Sequence, residues 1–409
     1  MVCECDICKR ILDGIGQACD RDSVQRLKGF SIPVTEQAYQ KQLDTKVEIE
    51  KEYWLKEKQA PCRVDIIDSM PLKHRVRIKF LFGQGEDGPA FGVCESPKYI
   101  LYNLYRSDIA TDRINHAMAV VLRATRENET LRQGLHLVNF VDTYGQDDFV
   151  IALYYTPPNQ VFSPDSTWKA STRSEILAPL AERISGRIKV VAKMKKNKCV
   201  VGTDQGEQDE YLRETGLFGG KTLIQTEGSF SNPNPGVTQA VNEWLERTLK
   251  AHEITNAHLL ELCSGCGNHT VGLAAFFQRV ISVEIDHNLV KRAAVNIELN
   301  NIENVTLVND DMKNINRILK RYPAAAKNAP TVVLVDPPRC GLDTKTASFI
   351  RDMSCDFLIY VACGDGLREN FSTLNSTYEL VHLCIADHFP FTHFLEKIAL
   401  FKRRIQTAT

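Results

Sequence analysis

Three side chains that could perform acid–base or nucleophilic chemistry stand beside apolar runs in the second half of the chain. Asp336 follows the apolar run 331–335, Cys363 follows the run 357–361, and Glu396 precedes the last apolar run. A thiolate can attack an electron-poor carbon, and carboxylates can orient a polar group or remove a proton. Because open α/β sheets bind ligands at the carboxyl ends of their strands, these residues are candidates for one site.

A glycine turn upstream predicts a nucleoside-containing cofactor. The buried run 259–263 leads into Gly265 and Gly267, and Asn268 opens the following helical pattern. Glycine lets the backbone turn sharply and approach a ligand. Glu284 ends the next predicted strand, where a carboxylate can accept hydrogen bonds from both hydroxyls of a ribose.

Two cofactors fit such a turn, a dinucleotide and S-adenosylmethionine. A dinucleotide fingerprint has a third glycine for close helix–strand packing, and Thr270 stands in its place. Glu261, inside the first strand, suits a cationic amino acid tail better than a pyrophosphate. The pattern favours S-adenosylmethionine, with Asp311 at a third strand end as a partner for the adenine amine.

These groups would suffice for methyl transfer to C5 of a pyrimidine. C5 is a poor nucleophile until a thiolate adds to C6. The resulting enolate-like carbon can attack a sulfonium methyl group, after which a base removes the C5 proton and the thiol leaves. Cys363 is the candidate nucleophile, its thiolate favoured by the dipole of the following helix, and Glu396 is the candidate base. Asp336 can position a base edge, and Phe389 and His393 can contact a flipped base.

Composition predicts a folded, soluble, multi-domain protein. The chain has 409 residues, 43% of them hydrophobic and 25% charged. No apolar run approaches the roughly 18 residues of a membrane helix, and the start lacks a secretory signal. Thirteen cysteines, an odd number, predict reduced thiols in the cytosol, the nucleus or a similar compartment. The spacing of Cys3, Cys5, Cys8 and Cys19 does not match a zinc or iron–sulfur motif, so no metal is predicted.

Attraction to nucleic acid must be local, because the net charge is −1. Between Arg183 and Lys198 there are seven basic residues and no acidic one, including Lys193, Lys195 and Lys196. Cations in a row suit a phosphate backbone, although a solvated sheet face has the same pattern.

The hydrophobic patterns predict three segments. Residues 1–70 are expected to be an N-terminal extension, mostly helical or mobile. Residues 71–225 alternate short strands and turns around a helix at 110–126, as in a mixed α+β RNA-binding domain. Residues 226–409 alternate strands and helices, as in a Rossmann-like α/β domain with a parallel sheet.

The second half of the chain resembles the catalytic domain of RNA uracil-5-methyltransferases, and the resemblance extends weakly back to about residue 73. The matching stretches are Ser-Phe-Ser-Asn-Pro-Asn at 229–234, the glycine turn at 259–268, Val-Asp-Pro-Pro-Arg-Cys-Gly-Leu-Asp at 335–343, Cys363, and Phe-Pro-Phe-Thr-His at 389–393 with Glu396. The resemblance implies a seven-stranded class I methyltransferase domain with Cys363 as nucleophile and Glu396 as base. It places around S-adenosylmethionine the residues Asn232, Cys263, Gly265, Asn268, Glu284 and Asp336. Phe230 and Arg339, in the matched motifs, are predicted RNA contacts together with Phe389 and His393.

Length and the absence of an extra RNA-binding barrel make the chain most similar to the tRNA branch of that family, which methylates the T-loop uridine 54. Residues 362–365 read Ala-Cys-Gly-Asp, where the family usually has Ser-Cys-Asn-Pro. Asn232 and Cys263 replace a common glutamine and an aromatic residue.

Two alternative functions remain. Cys340 resembles the second cysteine of RNA cytosine-5-methyltransferases, and the altered 362–365 stretch would suit a tRNA-binding or tRNA-folding protein with weakened catalysis. No obligate protein partner is inferred.

Overall fold

A computed structural model describes residues 35–60, 62–96, 99–157, 167–203, 211–229, 231–322, 331–353 and 355–405. These residues form two compact units. One comprises residues 70–217 and 224–235 together with described residues up to Tyr39, and the other comprises residues 40–69, 218–223 and 236 onward. The segments predicted from the sequence were consecutive, whereas each unit joins stretches that are distant along the chain.

The described residues form the following strands and helices. The strands are β1 (Arg63–Ile67), β2 (Arg77–Gly85), β3 (Gly88–Ser96), β4 (Tyr99–Leu104), β5 (Leu135–Asp142), β6 (Asp148–Tyr155), β7 (Arg187–Met194), β8 (Asn197–Gly202), β9 (Tyr211–Leu217), β10 (Lys221–Thr226), β11 (Ala257–Leu262), β12 (Phe277–Glu284), β13 (Val305–Asn309), β14 (Thr331–Val335), β15 (Phe357–Ala362), β16 (Tyr378–Ala386) and β17 (Glu396–Arg403). The α-helices are Glu36–Lys51, Asp112–Glu127, Glu129–Arg132, Trp168–Ser171, Ala178–Ala181, Pro235–Ala251, Asn268–Leu273, His287–Leu299, Ile315–Arg321, Thr344–Asp352 and Gly366–Asn375.

The first unit is built on a seven-stranded sheet in the order β4-β3-β2-β5-β6-β7-β8. The helix Asp112–Glu127 begins at Thr111, whose side chain caps Ile114 N. Its apolar stripe packs on one sheet face in a core that includes Phe91 and Phe140, with ring centroids 5.6 Å apart. The predicted short strands and the predicted helix near 110–126 are confirmed.

The second unit is built on an eight-stranded sheet in the order β1-β16-β17-β15-β14-β11-β12-β13. Without β1, the remaining strands in chain order 1 to 7 lie in the order 6-7-5-4-1-2-3, and only β17 is antiparallel to its neighbours. This is the Rossmann-like arrangement that was predicted. The prediction of seven strands did not include β1, which adds to the edge of the sheet by pairing in parallel with β16.

A buried tryptophan packs the segment before β1 into the core of the second unit. Trp54 is fully buried, donates a hydrogen bond from Nε1 to Glu50 Oε2 at 2.9 Å, and packs edge-on against Phe371 with centroids 5.1 Å apart. Phe371 lies on the helix Gly366–Asn375, which follows β15. Within the described ranges, every helix is too short or too polar to span a lipid bilayer.

We predict that Trp54→Ala lowers the free energy of unfolding by about 3–5 kcal/mol, because it leaves a large cavity in a packed core. The neighbouring Leu55 is 39% exposed, so Leu55→Ala is the matched control, expected to have little effect. Urea unfolding of both variants measures the difference. Equal losses in the two variants would contradict the packing described for Trp54.

Candidate active site

Strand register brings the candidate nucleophile and the candidate base together. In the antiparallel pair β15–β17, Ala362 pairs with Lys397. Cys363 directly follows β15, and Glu396, the first residue of β17, directly precedes Lys397, so both lie at one level at the ends of adjacent strands. Asp336 follows β14, which pairs in parallel with β15. The three predicted catalytic residues therefore meet at the carboxyl edge of the sheet.

Cys363 is a half-buried thiol in a negative environment. Burial raises its pKa above the ordinary value, Glu396 and Asp336 raise it further, and Arg339 opposes them. The net shift is therefore opposite in direction to the lowering expected from the helix dipole. Desolvation and two carboxylates outweigh the Arg339 guanidinium group.

Glu396 is buried and paired with a histidine. His388 Nε2 lies 3.2 Å from Glu396 Oε1, and both side chains are almost inaccessible. Burial favours the neutral acid, but His388, His269 and Lys397 together bring the pKa of Glu396 below its usual value. The carboxylate is thus ionised at neutral pH, as a general base must be.

The pKa of Asp336 is shifted in the opposite direction to that of Glu396. Desolvation by the surrounding side chains raises its pKa well above the usual value, and Glu396 and Glu261 add to the shift, although 37% of the Asp336 side chain is exposed. His269 Nε2 stands 3.9 Å from Asp336 Oδ2. The pKa values of Glu396 and Asp336, which lie at the ends of the two strands that flank β15, are therefore shifted in opposite directions. This pattern separates an acid from a base.

The glycine turn after β11 forms an open ledge. Cys263, Gly265 and Gly267 all have positive φ, at 61°, 58° and 88°. Gly265 N donates a hydrogen bond to Glu284 Oε2 at 2.9 Å, which fixes the carboxylate of β12 beside the turn. A Cβ on Gly265 would meet no atom within 4 Å, whereas one on Gly267 would lie 3.4 Å from Ala293 Cβ. Gly265 therefore faces open space, and Gly267 allows close helix packing.

The other predicted cofactor residues of this unit surround the same turn. Burial raises the pKa of Cys263 to about 12, with Glu284 and Asp311 contributing. Asp311 Oδ1 accepts a hydrogen bond from Lys313 N at 2.9 Å. Asn268 begins the helix Asn268–Leu273, and its Oδ1 lies 3.4 Å from the thiol of Cys266.

The cluster predicted to contact RNA has an aromatic centre that sequence reasoning missed. The Arg339 guanidinium lies 4.0 Å from the centroid of the Phe394 ring. The rings of His393 and Phe389 lie 4.0 Å and 6.1 Å from the same ring. The density of aromatic residues at 389–394 was the available signal for Phe394.

Two glycines allow the loop after the nucleophile to pack closely. A Cβ on Gly364 would lie 3.0 Å from Arg339 O, and one on Gly366 would lie 2.4 Å from Gly341 Cα. The loop after Cys363 thus packs tightly against the loop after Asp336. A larger residue at 364 or 366 would force these loops apart. Cys340, on the second loop, is exposed.

A buried ion pair fixes the segment that leads to Glu396. Lys46, on the helix Glu36–Lys51, lies 2.8 Å from Asp387 Oδ1, and both side chains are buried. Lys46 Nζ also donates to the carbonyl oxygens of Phe389, at 3.2 Å, and Phe394, at 3.0 Å. Gln42, one turn earlier, donates to Asp387 Oδ2 at 3.3 Å. The polar spacing of 42, 46 and 50 was a signal for this helix face, but no pattern identified its partner.

The predicted RNA contacts of the first unit differ in their surroundings. Lys193 forms an ion pair with Glu227, whose carboxylate also accepts hydrogen bonds from Asn139 at 2.7 Å and Tyr154 at 2.9 Å. Lys193 is therefore largely neutralised within its own unit. Lys195 and Lys196 are exposed in the turn between β7 and β8.

The remaining predicted residues fall in two groups. Asn232 Oδ1 accepts a hydrogen bond from Asn234 N at 3.3 Å within the first unit. Phe230 and the four N-terminal cysteines lie outside the described residues. Among the residues that are described, no three histidine, cysteine or acidic side chains are grouped so as to hold a metal ion.

Comparison with known proteins places this site in context. The family model described as tRNA (Uracil-5-)-methyltransferase matches residues 38–404. The tRNA/tmRNA (uracil-C(5))-methyltransferase of Colwellia psychrerythraea is 28% identical over 352 residues, covering 83% of this chain and 91% of that protein. The protein of the same name from Aromatoleum aromaticum is 30% identical over 353 residues, covering 83% and 89%.

A solved structure supports the fold. The crystal structure of Pyrococcus abyssi tRNA (uracil-54, C5)-methyltransferase in complex with S-adenosyl-L-homocysteine aligns with a TM-score of 0.63 at 17% identity. The alignment covers 90% of this chain and 86% of that chain. At this identity the likeness is evidence for the fold alone.

We predict that Lys46→Met destabilises the protein by about 3–5 kcal/mol and loosens the segment 387–394, because Asp387 loses its buried partner. Hydrogen exchange of peptides from this segment measures the loosening, which should appear as faster exchange. Lys51→Met, at an exposed position of the same helix, is the control and should exchange as the wild type does. Unchanged exchange in Lys46→Met would contradict the role of this ion pair.

Proposed function

We propose that this chain, which belongs to the tRNA (uracil-5-)-methyltransferase family, methylates C5 of uridine 54 in the T-loop of tRNA through a covalent bond between Cys363 and C6. The family activity is S-adenosyl-L-methionine-dependent methylation of uracil in tRNA. The covalent route and the target position are the proposal. The observation that carries it is the juxtaposition of Cys363 and Glu396 by the β15–β17 register.

The residues around the glycine turn fit the cofactor. S-adenosyl-L-methionine supplies a methyl group on a positively charged sulfonium and carries a cationic amino group. Glu261 is fully buried, and its Oε1 has no hydrogen-bond partner among the described residues. Burial raises the pKa of Glu261 to about 8, so a nearby cation would stabilise its charged form. We assign the amino acid tail to the Glu261 side of the turn.

The nucleoside end of the cofactor is assigned to the neighbouring strand ends. Glu284, at the end of β12, would accept hydrogen bonds from the ribose hydroxyls, and Asp311 would accept one from the adenine amine. Cys263, Gly265, Gly267 and Asn268 would line the turn. Asn232 is carried over from the family resemblance and remains a prediction.

The charges around Cys363 would favour its thiolate once the cofactor is bound. The pKa of Cys363 is raised by burial and by Glu396 and Asp336. A sulfonium in the neighbouring pocket would offset these carboxylates, and Arg339 acts in the same direction. Thiolate formation would therefore depend on an occupied cofactor pocket, which ties the first covalent step to the presence of the methyl donor.

The reaction would then proceed in four balanced steps. The Cys363 thiolate adds to C6, and the electrons of the C5–C6 double bond move onto C5 and the O4 carbonyl. The electrons on C5 form a bond to the methyl carbon while the bond from that carbon to the sulfonium sulfur breaks, which leaves S-adenosyl-L-homocysteine. Glu396 removes the C5 proton, and the electrons of that bond restore the double bond. The bond from sulfur to C6 breaks, which returns the thiolate.

We predict that the wild-type protein forms 5-methyluridine in an unmodified tRNA transcript and that Cys363→Ala forms none. Nucleoside mass analysis measures the product. Cys340→Ala, which removes the exposed cysteine on the adjacent loop, is the control and should retain activity. Formation of 5-methylcytidine would identify a cytosine enzyme, and tRNA binding without a methylated product would favour an RNA-folding protein.

We predict that replacing Lys195 and Lys196 with Ala weakens tRNA binding and lowers its salt dependence. Each lost phosphate contact should reduce the slope of log affinity against log salt by about 0.9. Binding titrations at several salt concentrations measure the slope. Lys56→Ala with Lys58→Ala removes the same charge from two other exposed positions and serves as the control. A wild-type slope in the Lys195/Lys196 variant would rule out this turn as an RNA contact.

A further inference from the structure

We propose that His388 is a positioning residue for Glu396, which it orients for removal of the C5 proton. His388 would donate a hydrogen bond from Nε2 to Glu396 Oε1 and leave Oε2 to receive the proton. This inference rests on the proposed function, because it concerns a step of that reaction. It predicts that His388 affects proton removal and leaves methyl transfer largely untouched.

The geometry of the pair carries the argument. In the antiparallel pair β16–β17, Ala386 of β16 pairs with Glu396 of β17. His388 therefore lies two residues after the strand partner of Glu396. His388 Nε2 lies 3.2 Å from Glu396 Oε1, with 1% of the His388 side chain and 11% of the Glu396 side chain exposed. A hydrogen bond to a charged group at this degree of burial strongly limits where the carboxylate can point.

The backbone on either side holds the histidine in place. Asp387 N donates a hydrogen bond to Ile67 O of β1 at 2.9 Å, and the Asp387 side chain pairs with Lys46 at 2.8 Å. His388 N donates to Ala386 O at 3.2 Å. The imidazole therefore approaches Glu396 from a segment that is anchored to a strand and to a helix.

The charges around the carboxylate come from several elements. Those that interact electrostatically with Glu396 are His388 before β17, His269 in the helix after the glycine turn, Lys397 on β17, Asp336 after β14, Cys363 after β15 and Cys384 on β16. Among the histidines, His388 alone has a ring nitrogen within hydrogen-bonding distance of Glu396 in the described part of the chain. Loss of His388 should raise the pKa of Glu396, because the carboxylate would lose a hydrogen bond and its electrostatic interaction with the imidazole.

Loss of His388 would affect one chemical step, the removal of the C5 proton. After C5 has taken the methyl group, Glu396 Oε2 accepts the C5 proton, the C–H electrons form the C5–C6 double bond, and the bond from C6 to sulfur breaks. A misplaced or protonated carboxylate would slow this step. The methylated adduct on Cys363 would then accumulate, because the earlier steps do not require Glu396.

The test uses tRNA carrying tritium at C5 of its uridines. The protein is in excess over tRNA, so that each site turns over once. Release of tritium then reports proton removal, and transfer of labelled methyl from S-adenosyl-L-methionine reports methylation. We expect His388→Ala to slow tritium release by about 10- to 100-fold, the loss typical of one hydrogen bond to a charged group. The acid limb of its pH profile should move to higher pH, because the pKa of Glu396 rises. His388→Gln, which keeps an N–H donor, should recover part of the rate.

Two comparisons separate the possible failures. His287→Ala, at an exposed histidine of the same unit, should behave as the wild type. If methyl transfer and tritium release fall together in His388→Ala, or if neither changes, the assignment of His388 is overturned. Glu396→Gln is measured alongside. If it releases tritium at the wild-type rate, the proposed function itself loses its base, and His388 loses its role with it.

Discussion

The site depends on a concentration of acidic side chains at one edge of a sheet. Glu261, Glu284, Asp336 and Glu396 all lie at or near the carboxyl ends of β11, β12, β14 and the adjoining end of β17. Burial makes mutual repulsion costly, so the acids cannot all be ionised without cations nearby. The raised pKa values of Glu261, to about 8, and of Asp336 express this directly.

The neighbouring side chains decide the direction in which the pKa of each of these acids is shifted. Glu396 lies beside His388 and Lys397 and has a lowered pKa, whereas Asp336 is dominated by burial and by other carboxylates. The imbalance shifts the pKa values of two carboxyl groups in opposite directions without any difference in residue chemistry. It also suits a cationic methyl donor, whose charge would be repelled by a basic pocket. Selectivity for such a donor would then follow from electrostatics as much as from shape.

Much of this arrangement could be predicted from the sequence. Cys363, Asp336 and Glu396 were recognisable as candidates because each adjoins a short apolar run, and the glycine turn predicts the cofactor side. The Rossmann-like sheet followed from alternating strands and helices. These are local patterns, and they are set by period and by turn chemistry.

The rest depends on contacts between distant parts of the chain. Lys46 meets Asp387 341 residues later, and no spacing rule links the two. Lys193 was predicted to face RNA, yet it pairs with Glu227, because a strand charge can turn toward a carboxylate of its own unit. The direction of the Cys363 pKa shift was also out of reach, since it depends on three strand ends meeting. The eighth strand, β1, comes from a segment predicted to be an extension.

The central claim is that the Cys363 sulfur reacts with C6 of a tRNA uridine. The most direct measurement incubates the protein with S-adenosyl-L-methionine and tRNA containing 5-fluorouridine, whose fluorine blocks the final proton removal, and then identifies the RNA-linked peptide by mass spectrometry. The account predicts a methylated nucleotide attached to Cys363. A linkage to Cys340, or an active protein that forms no adduct, would contradict it.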